Sequence, residues 1–282
     1  MTPFGSAPGL RPTKLGVYLF LSVLAVFAAF PLFWMVSTSF KTYEEAYRFP
    51  PTLLPRHPST GAYSSVFDTA DLATFAMNSL LVALVATLAG TLFAAMAGYS
   101  LARSRFRGRR LLLRSTLLAY IFPQILLVIP LFEVLAKLDL VNTHLGLILA
   151  YVTLSFPFST WMLTAYFRTV PIDIEEAAKV DGASNLRVFW QITLPLVAPG
   201  LVAVTVFAFI NTWTEFLYSF IILGGGDGRT LSVFLYSLLG GESQQWELLM
   251  AASTVAMLPM IILFMAVQRR MASGLASGAV KG

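Results

Sequence analysis

The chain has no cysteine and only two histidines among its 282 residues. The first absence excludes disulfides, thiolate nucleophiles and cysteine metal sites outright. The second leaves His57 and His144 far apart, without the spacing of a metal site. There is no Gly-Lys dipeptide either, so the phosphate-cradling pattern G-x-x-x-x-G-K-[ST] is missing and ATP is not hydrolysed here by that route. Charge is scarce: Asp, Glu, Lys and Arg make up 12% of the chain, where a soluble domain carries about a quarter. What fills the gap is apolar, 57% of all residues. A soluble helical core would alternate its apolar runs with a polar face, and several runs here have none.

A membrane span needs roughly 20 apolar residues at about 1.5 Å each. Uncharged stretches of that kind cover 16–36, 78–102, 115–132, 145–167 and 248–268, and a sixth, 198–223, carries a single acid, Glu215. The apolar stretch 230–241 is too short to cross and reads as a re-entrant or surface helix. The expected fold is therefore an all-α integral membrane protein with six transmembrane helices. Only Glu215 lies well within a span, with Glu133 and Lys137 at the outer end of the third, so a proton relay or secondary transporter is poorly supported. An intramembrane enzyme would need a nucleophile and base on facing helices, and no span holds a cysteine or histidine.

The net charge of +5 invites a nucleic-acid reading until the basic residues are placed. With the N-terminus inside, 14 of the 19 Lys and Arg fall in inner segments, six of them between Arg103 and Arg114. The positive-inside bias accounts for the charge without nucleic acid and puts both termini in the cytoplasm. The expected order is a cytoplasmic segment 1–15, a first span 16–36 retained as an anchor rather than cleaved as a signal peptide, an extracytoplasmic loop 37–77, a five-helix core 78–268 and a cytoplasmic tail 269–282.

One inner loop, 168–197, is unlike the rest. Pro171 suits a first helical position, and Asp173, Glu175 and Glu176 crowd the first turn, where the helix dipole favours acids. A helix over 171–180 should follow, with Gly182 turning the chain. A second amphipathic piece then brings Leu186, Phe189, Trp190 and Ile192 to the membrane interface. Ala177 and Ala178 leave the helix surface flat, a shape suited to docking another protein.

Glu176-Ala177-Ala178, three residues, Gly182, nine residues and Ile192-x-Leu194-Pro195 resemble at every fixed position the EAA motif of membrane subunits of bacterial ABC importers. The stretches "AGYSLARSRFRGRR", "FPFSTWMLTAYFRTVPIDIEEAAKVDGAS" and "NTWTEFLYSFIIL", and the tail "QRRMASGLASGAVKG", look like carbohydrate importers of the MalG type. The resemblance implies a type I ABC importer permease fold in the bacterial cytoplasmic (inner) membrane. It also implies a coupling helix seated on a separate ATPase, involving Glu175, Glu176, Ala177, Ala178, Asp181, Gly182, Ile192, Leu194 and Pro195. The tail residues Gly274, Leu275, Gly278, Lys281 and Gly282 would reach into the interface between two ATPase subunits, and their small side chains permit an extended strand. The implied partners are a MalF-like second permease, two ATP-binding subunits, an extracytoplasmic solute-binding protein, a sugar substrate and membrane lipid. No cofactor or metal is expected on this chain, ATP and Mg²⁺ being used by the ATPase partner. Thr214 departs from the family, in which many relatives carry Asn there.

For the substrate path, Asn211, Glu215 and Tyr218 fall at i, i+4 and i+7 and would share one helical face of the fifth span. They offer hydrogen bonds and an aromatic face suited to a polyhydroxylated ring, while Trp213 points elsewhere, to packing or lipid. A structural hydrogen bond to a neighbouring subunit would use the same residues. A non-sugar solute such as a glycerol phosphodiester stays open, although no excess of basic residues lies in the spans.

Overall fold

A computed structural model describes residues 14–68, 71–224, 228–240 and 245–279. The described residues form helices and turns, with no strand. Fourteen α-helical segments follow in chain order: α1 (Lys14–Ser39), α2 (Tyr43–Ala46), α3 (Gly61–Asp68), α4 (Asp71–Arg103), α5 (Arg109–Ile121), α6 (Val128–Lys137), α7 (His144–Thr169), α8 (Ile172–Val180), α9 (Asn185–Arg187), α10 (Leu194–Leu196), α11 (Ala198–Thr214), α12 (Leu217–Ile222), α13 (Leu231–Ser237) and α14 (Trp246–Ala279). A 3₁₀ turn, Gln124–Leu127, joins α5 to α6, and a π-helical stretch, Val188–Thr193, joins α9 to α10.

Among the described residues, four helices are long and apolar enough to cross a membrane: Gly16–Ser39, Leu72–Arg103, His144–Thr169 and Trp246–Gln268. The count rises to six if each of two bent pairs is one span, Arg109–Ile121 with Gln124–Lys137, bent by 97°, and Asn185–Leu196 with Ala198–Thr214, bent by 81°. The third span expected at 115–132 is thus no straight rod. Pro123 has no N–H and disfavours helical backbone in Phe122 before it, so α5 stops at Ile121 and the chain turns. The fifth expected span is interrupted as well: α11 ends at Thr214, and Glu215 is extended with φ −69° and ψ 134°. At 33 residues, α4 begins seven residues before the expected 78 and outruns the ~30 Å apolar layer by several turns.

The chain divides into two compact units, 1–66 with 243–255 and 67–242 with 256–282. In the first, the segment after α1 is tied by side chains. Glu45 Oε1 accepts from the Thr52 hydroxyl at 2.9 Å and the Arg56 N–H at 2.8 Å. Lys41 donates to the Thr52 carbonyl at 2.6 Å and lies 4.3 Å from the Trp34 ring centroid. The Arg56 N–H is the main cause that holds the Glu45 carboxyl below its usual value, with Thr52 and Lys41 adding to it. Burial lowers the Lys41 ammonium, against the pull of Glu45. This stretch is a folded connector rather than a loose one.

In the second unit, α4 and α7 pack through small residues. Ala86, Gly90, Ala94 and Gly98 recur every fourth position of α4 and are buried. A β-carbon at Gly98 would stand 3.1 Å from the Thr164 backbone nitrogen, so side-chain growth there would part the helices. Close backbone approach of this kind is how spans associate where lipid is as apolar as the side chains. The opposite face of α4, with Leu84, Leu88, Leu92 and Phe93, is exposed, as a lipid-facing surface should be. One core cluster joins Val82 and Ala86 of α4 to Leu147 and Tyr151 of α7 and Tyr218 and Ile222 of α12. A second joins Ala94 and Ala95 to Leu163, Phe167, Phe189 and Val204.

Candidate coupling and transport sites

At one end of α7 the chain reverses into α8. Pro171 precedes the first turn, which carries Asp173 and Glu175. The helix ends in a Schellman closure: the Ala183 N–H bonds to the Ala178 carbonyl at 2.9 Å and the Gly182 N–H to the Lys179 carbonyl at 3.0 Å. Gly182 adopts φ +87°, a left-handed conformation that a residue with a β-carbon adopts only at a cost. Ser184 then caps α9 by accepting from the Arg187 N–H at 3.3 Å.

The two adjacent acids part company. Glu175 is 1% exposed, its Oε1 2.7 Å from Arg103 Nε and its Oε2 accepting from the Tyr99 hydroxyl at 3.0 Å. Arg103 also donates to the Val170 carbonyl at 2.8 Å, and Tyr99 packs its ring against Phe167 and Phe189, at 5.5 and 5.0 Å between centroids. Glu175, expected to face an ATPase, instead faces the end of α4. Successive residues on a helix point about 100° apart, so Glu176 is turned outward and exposed. Ala177, Asp181 and Gly182 are exposed with it, and Ala178 is half-buried. Ile192 and Leu194 are half-buried, Leu194 against the second core cluster, and Pro195 is exposed. Phe189 is buried, whereas Leu186 and Trp190 are exposed. The outcome is a flat polar patch carried on a buried anchor of one ion pair and three aromatic rings.

Two of the three residues expected on the substrate path, Asn211 and Glu215, meet at the break after α11. A cavity of about 110 Å³ is lined by Tyr120, Gln124, Tyr151, Phe158, Asn211 and Glu215, among others. Asn211 and Glu215 come together here, but not on one continuous helix face. Glu215 sits in the gap and accepts from the Tyr151 hydroxyl at 2.7 Å and from the N–H groups of Tyr218 at 2.9 Å and Ser219 at 3.2 Å. Two of these donors are first-turn groups of α12, so the acid satisfies the helix end that its own break creates. That answers the roughly 3 kcal/mol insertion cost of an acid in a span. Tyr218 is outside the cavity lining, and its hydroxyl donates to the Gln124 carbonyl at 2.7 Å. Trp213 is buried and donates to the Ala256 carbonyl at 3.1 Å, a packing role. Thr214 returns its hydroxyl to the Ile210 carbonyl.

Of the tail residues, Gly274, Leu275 and Gly278 lie in the helical backbone of α14, which runs on to Ala279 where an extended strand was expected. Lys281 and Gly282 lie outside the described residues. Tyr99, Arg103, Tyr151, Tyr120 and Gln124 were not foreseen as site residues. Arg103 was counted only toward orientation, and the tyrosines belonged to runs read as apolar.

Residues 90–277 match the model of the family described as binding-protein-dependent transport system inner membrane component. The chain belongs to that family. The permease is 36% identical over 272 residues to the inner membrane ABC transporter permease protein YcjP of Escherichia coli, covering 96% of this chain and 97% of the relative. It is 35% identical over 285 residues, the whole of both chains, to the sulfoquinovosyl glycerol transport system permease protein SmoH of Agrobacterium fabrum. To the trehalose transport system permease protein SugB of Mycobacterium tuberculosis it is 35% identical over 263 residues, 91% of this chain and 93% of the relative. Its fold is that of a chain in the crystal structure of a bacterial ABC transporter that imports the acidic polysaccharide alginate, with a TM-score of 0.79 at 22% identity over 95% and 99% of the two chains. The permease is thus a transport subunit of an ABC importer, not an enzyme, and resides in the inner membrane.

Proposed function

We propose that the permease forms one wall of the path of a sugar importer, taking a di- or oligosaccharide delivered by an extracytoplasmic solute-binding protein. A MalF-like second permease supplies the other wall, and two ATP-binding subunits drive the cycle through the exposed patch at Glu176, Ala177, Asp181 and Gly182. Both termini are cytoplasmic in this arrangement.

The observation that carries the reading is the cavity at the two broken spans. Its rings, Tyr120 and Phe158, and its polar groups, Gln124 and Asn211, suit the carbon face and hydroxyl edge of a pyranose. Its lining holds no Lys or Arg, which favours a neutral solute over a phosphodiester. At about 110 Å³ it falls below the roughly 300 Å³ of a small-ligand pocket, as one wall of a shared path would. Relatives named for trehalose and sulfoquinovosyl glycerol point to glycosides as the substrate class.

Coupling requires a lever that differs in its contacts between two states. Glu175, held by Arg103 and Tyr99, fixes α8 to α4, so a push on the patch moves the span instead of bending the loop. The test is a mild-detergent pulldown of the permease from native membranes beside a Glu176→Lys/Gly182→Pro variant, with partners identified by mass spectrometry. Wild type should bring down an ATPase, a second permease and a sugar-binding protein, and the variant should lose the ATPase alone. An ATPase retained equally by both would refute the dock.

A further inference from the structure

Between α4 and α5 the chain gathers charge that neither the transport cavity nor the coupling patch uses. Arg105 and Arg107 lie on this short connection, Arg109 and Arg110 open α5, and Arg168 from the end of α7 lines the same concavity, about 720 Å³ in volume. Gly108, at φ +91°, lets the chain double back between them, and α5 begins there without a side-chain cap. Arg109 is fixed by donating to the Ser104 and Ala102 carbonyls at 3.4 and 3.3 Å. Among the described residues the one ion pair is Arg103 with Glu175, so no carboxylate neutralises these five arginines. Orientation in the membrane accounts for basic residues somewhere on the loop. It does not account for what lies beside them.

Below the arginines an apolar groove of about 450 Å³ runs between α4, α5 and α7, and Phe106 lines both it and the basic concavity. Leu101, Leu112, Ala119 and Phe156 give it carbon walls. The Thr160 hydroxyl, on the same groove, is buried with no hydrogen-bond partner. Charge at the mouth and carbon along the shaft match an amphiphile lying parallel to the spans. A free phosphate would leave the groove unused, and a neutral lipid would leave the arginines unused.

The geometry points to a site for one anionic glycerophospholipid, its phosphate among Arg107, Arg110 and Arg168 and one acyl chain in the groove past Phe106. It occupies the leaflet on the side of α8, which is the cytoplasmic one under the orientation proposed above. Basic pockets between spans are a known means of holding anionic headgroups. The site borders α4 and α7, the helices that carry the anchor of α8.

The test is native mass spectrometry of the assembled transporter, delipidated and titrated with phosphatidylglycerol or with phosphatidylcholine of identical acyl chains, with inorganic phosphate as competitor. Wild type should retain one phosphatidylglycerol at concentrations roughly tenfold below those needed for phosphatidylcholine. Arg107→Gln/Arg110→Gln should abolish that preference, and Ala119→Trp should lower retention of both lipids. If the double variant fails to assemble, Arg168→Gln asks the same question from another helix. Equal retention of the two lipids by wild type, an unchanged preference in the arginine variants, or displacement of the lipid by millimolar phosphate overturns the site. Labelling of Ser104→Cys from outside intact cells, feasible because the chain has no native cysteine, would overturn the leaflet and the proposed orientation while leaving lipid preference in detergent untouched.

Discussion

Removing either partner of the Arg103–Glu175 pair should destabilise the α8 end of the permease, and removing both should restore part of that loss. Glu175 has 2% of its side chain exposed and Arg103 14%, so each is held mostly out of water. Truncating one partner of a buried pair costs about 3–5 kcal/mol, because the other is left charged and unpaired. The two sides are not equal. Glu175→Leu leaves Arg103 with the Val170 carbonyl and a partial opening to water, which puts the loss near the lower figure of about 3 kcal/mol. Arg103→Met leaves a buried carboxylate with the Tyr99 hydroxyl alone, nearer the upper figure of about 5 kcal/mol. Arg103→Met/Glu175→Leu removes both charges and orphans only Tyr99 and the Val170 carbonyl, a loss of roughly 1–2 kcal/mol. The assay is thermal unfolding of the permease in nanodiscs, followed by tryptophan fluorescence. The first variant should lose roughly 6–12 °C and the double variant about one third to two thirds of that. Strict additivity of the two single losses would refute the pair as an interaction, and an unshifted Glu175→Leu would refute its burial.

Four further outcomes are expected. Gly182→Ala has open space for its β-carbon and pays only for φ +87°, about 1 kcal/mol, whereas Gly182→Pro cannot take that angle at all; uptake per ATP hydrolysed should fall modestly in the first and collapse in the second. Glu215→Leu orphans the Tyr151 hydroxyl and two N–H groups at about 1–3 kcal/mol each and should reduce folded protein in membranes, while Asn211→Ala should leave expression intact and weaken uptake. Gly200→Ala would drive a β-carbon into the Tyr166 ring, so crosslinking between cysteines placed on α7 and α11 should weaken. The contribution of Glu45, whose folded value is depressed, is fully present above its ordinary 4.5 and is lost as pH falls through the lower folded value. Proteolysis of the segment around Thr52 should therefore be steady at neutral pH and rise below about 4.5, and Glu45→Gln should flatten that dependence.

Helix identity and the position of the helical hairpin after α7 were legible because they rest on local rules. Length and apolarity define a span, and Pro171, the clustered acids and Gly182 define a short helix with its turn. What escaped depends on residues distant in sequence. Nothing near Glu175 announces that it faces inward while Glu176 faces out; that follows from Tyr99 and Arg103, more than seventy residues earlier. The interruption at Glu215 is equally silent, since the residues around it form an otherwise uncharged run without Pro or Gly and the break is stabilised by Tyr151 of another helix. Pro123 was a visible breaker, yet its effect was underestimated: a proline in a span can merely kink it, and here the turn reaches 97°.

As two broken spans of a six-span arrangement, the bent helix pairs have a consequence for how the protein is made. In that arrangement the bend after Pro123 would leave the Gln124 carbonyl within the membrane, and its partner is the hydroxyl of Tyr218, 94 residues further along. At ribosomal speeds that partner emerges about 5–20 s later. During that interval the third span is an incomplete insertion intermediate, with a polar backbone kink that hydrocarbon does not tolerate. Such a span is expected to wait at the lateral gate of the translocon, or beside an insertase, until the fifth arrives. Release into lipid should be a paired event, and biogenesis of this permease should depend on such a holding step more than that of a protein with six uninterrupted helices.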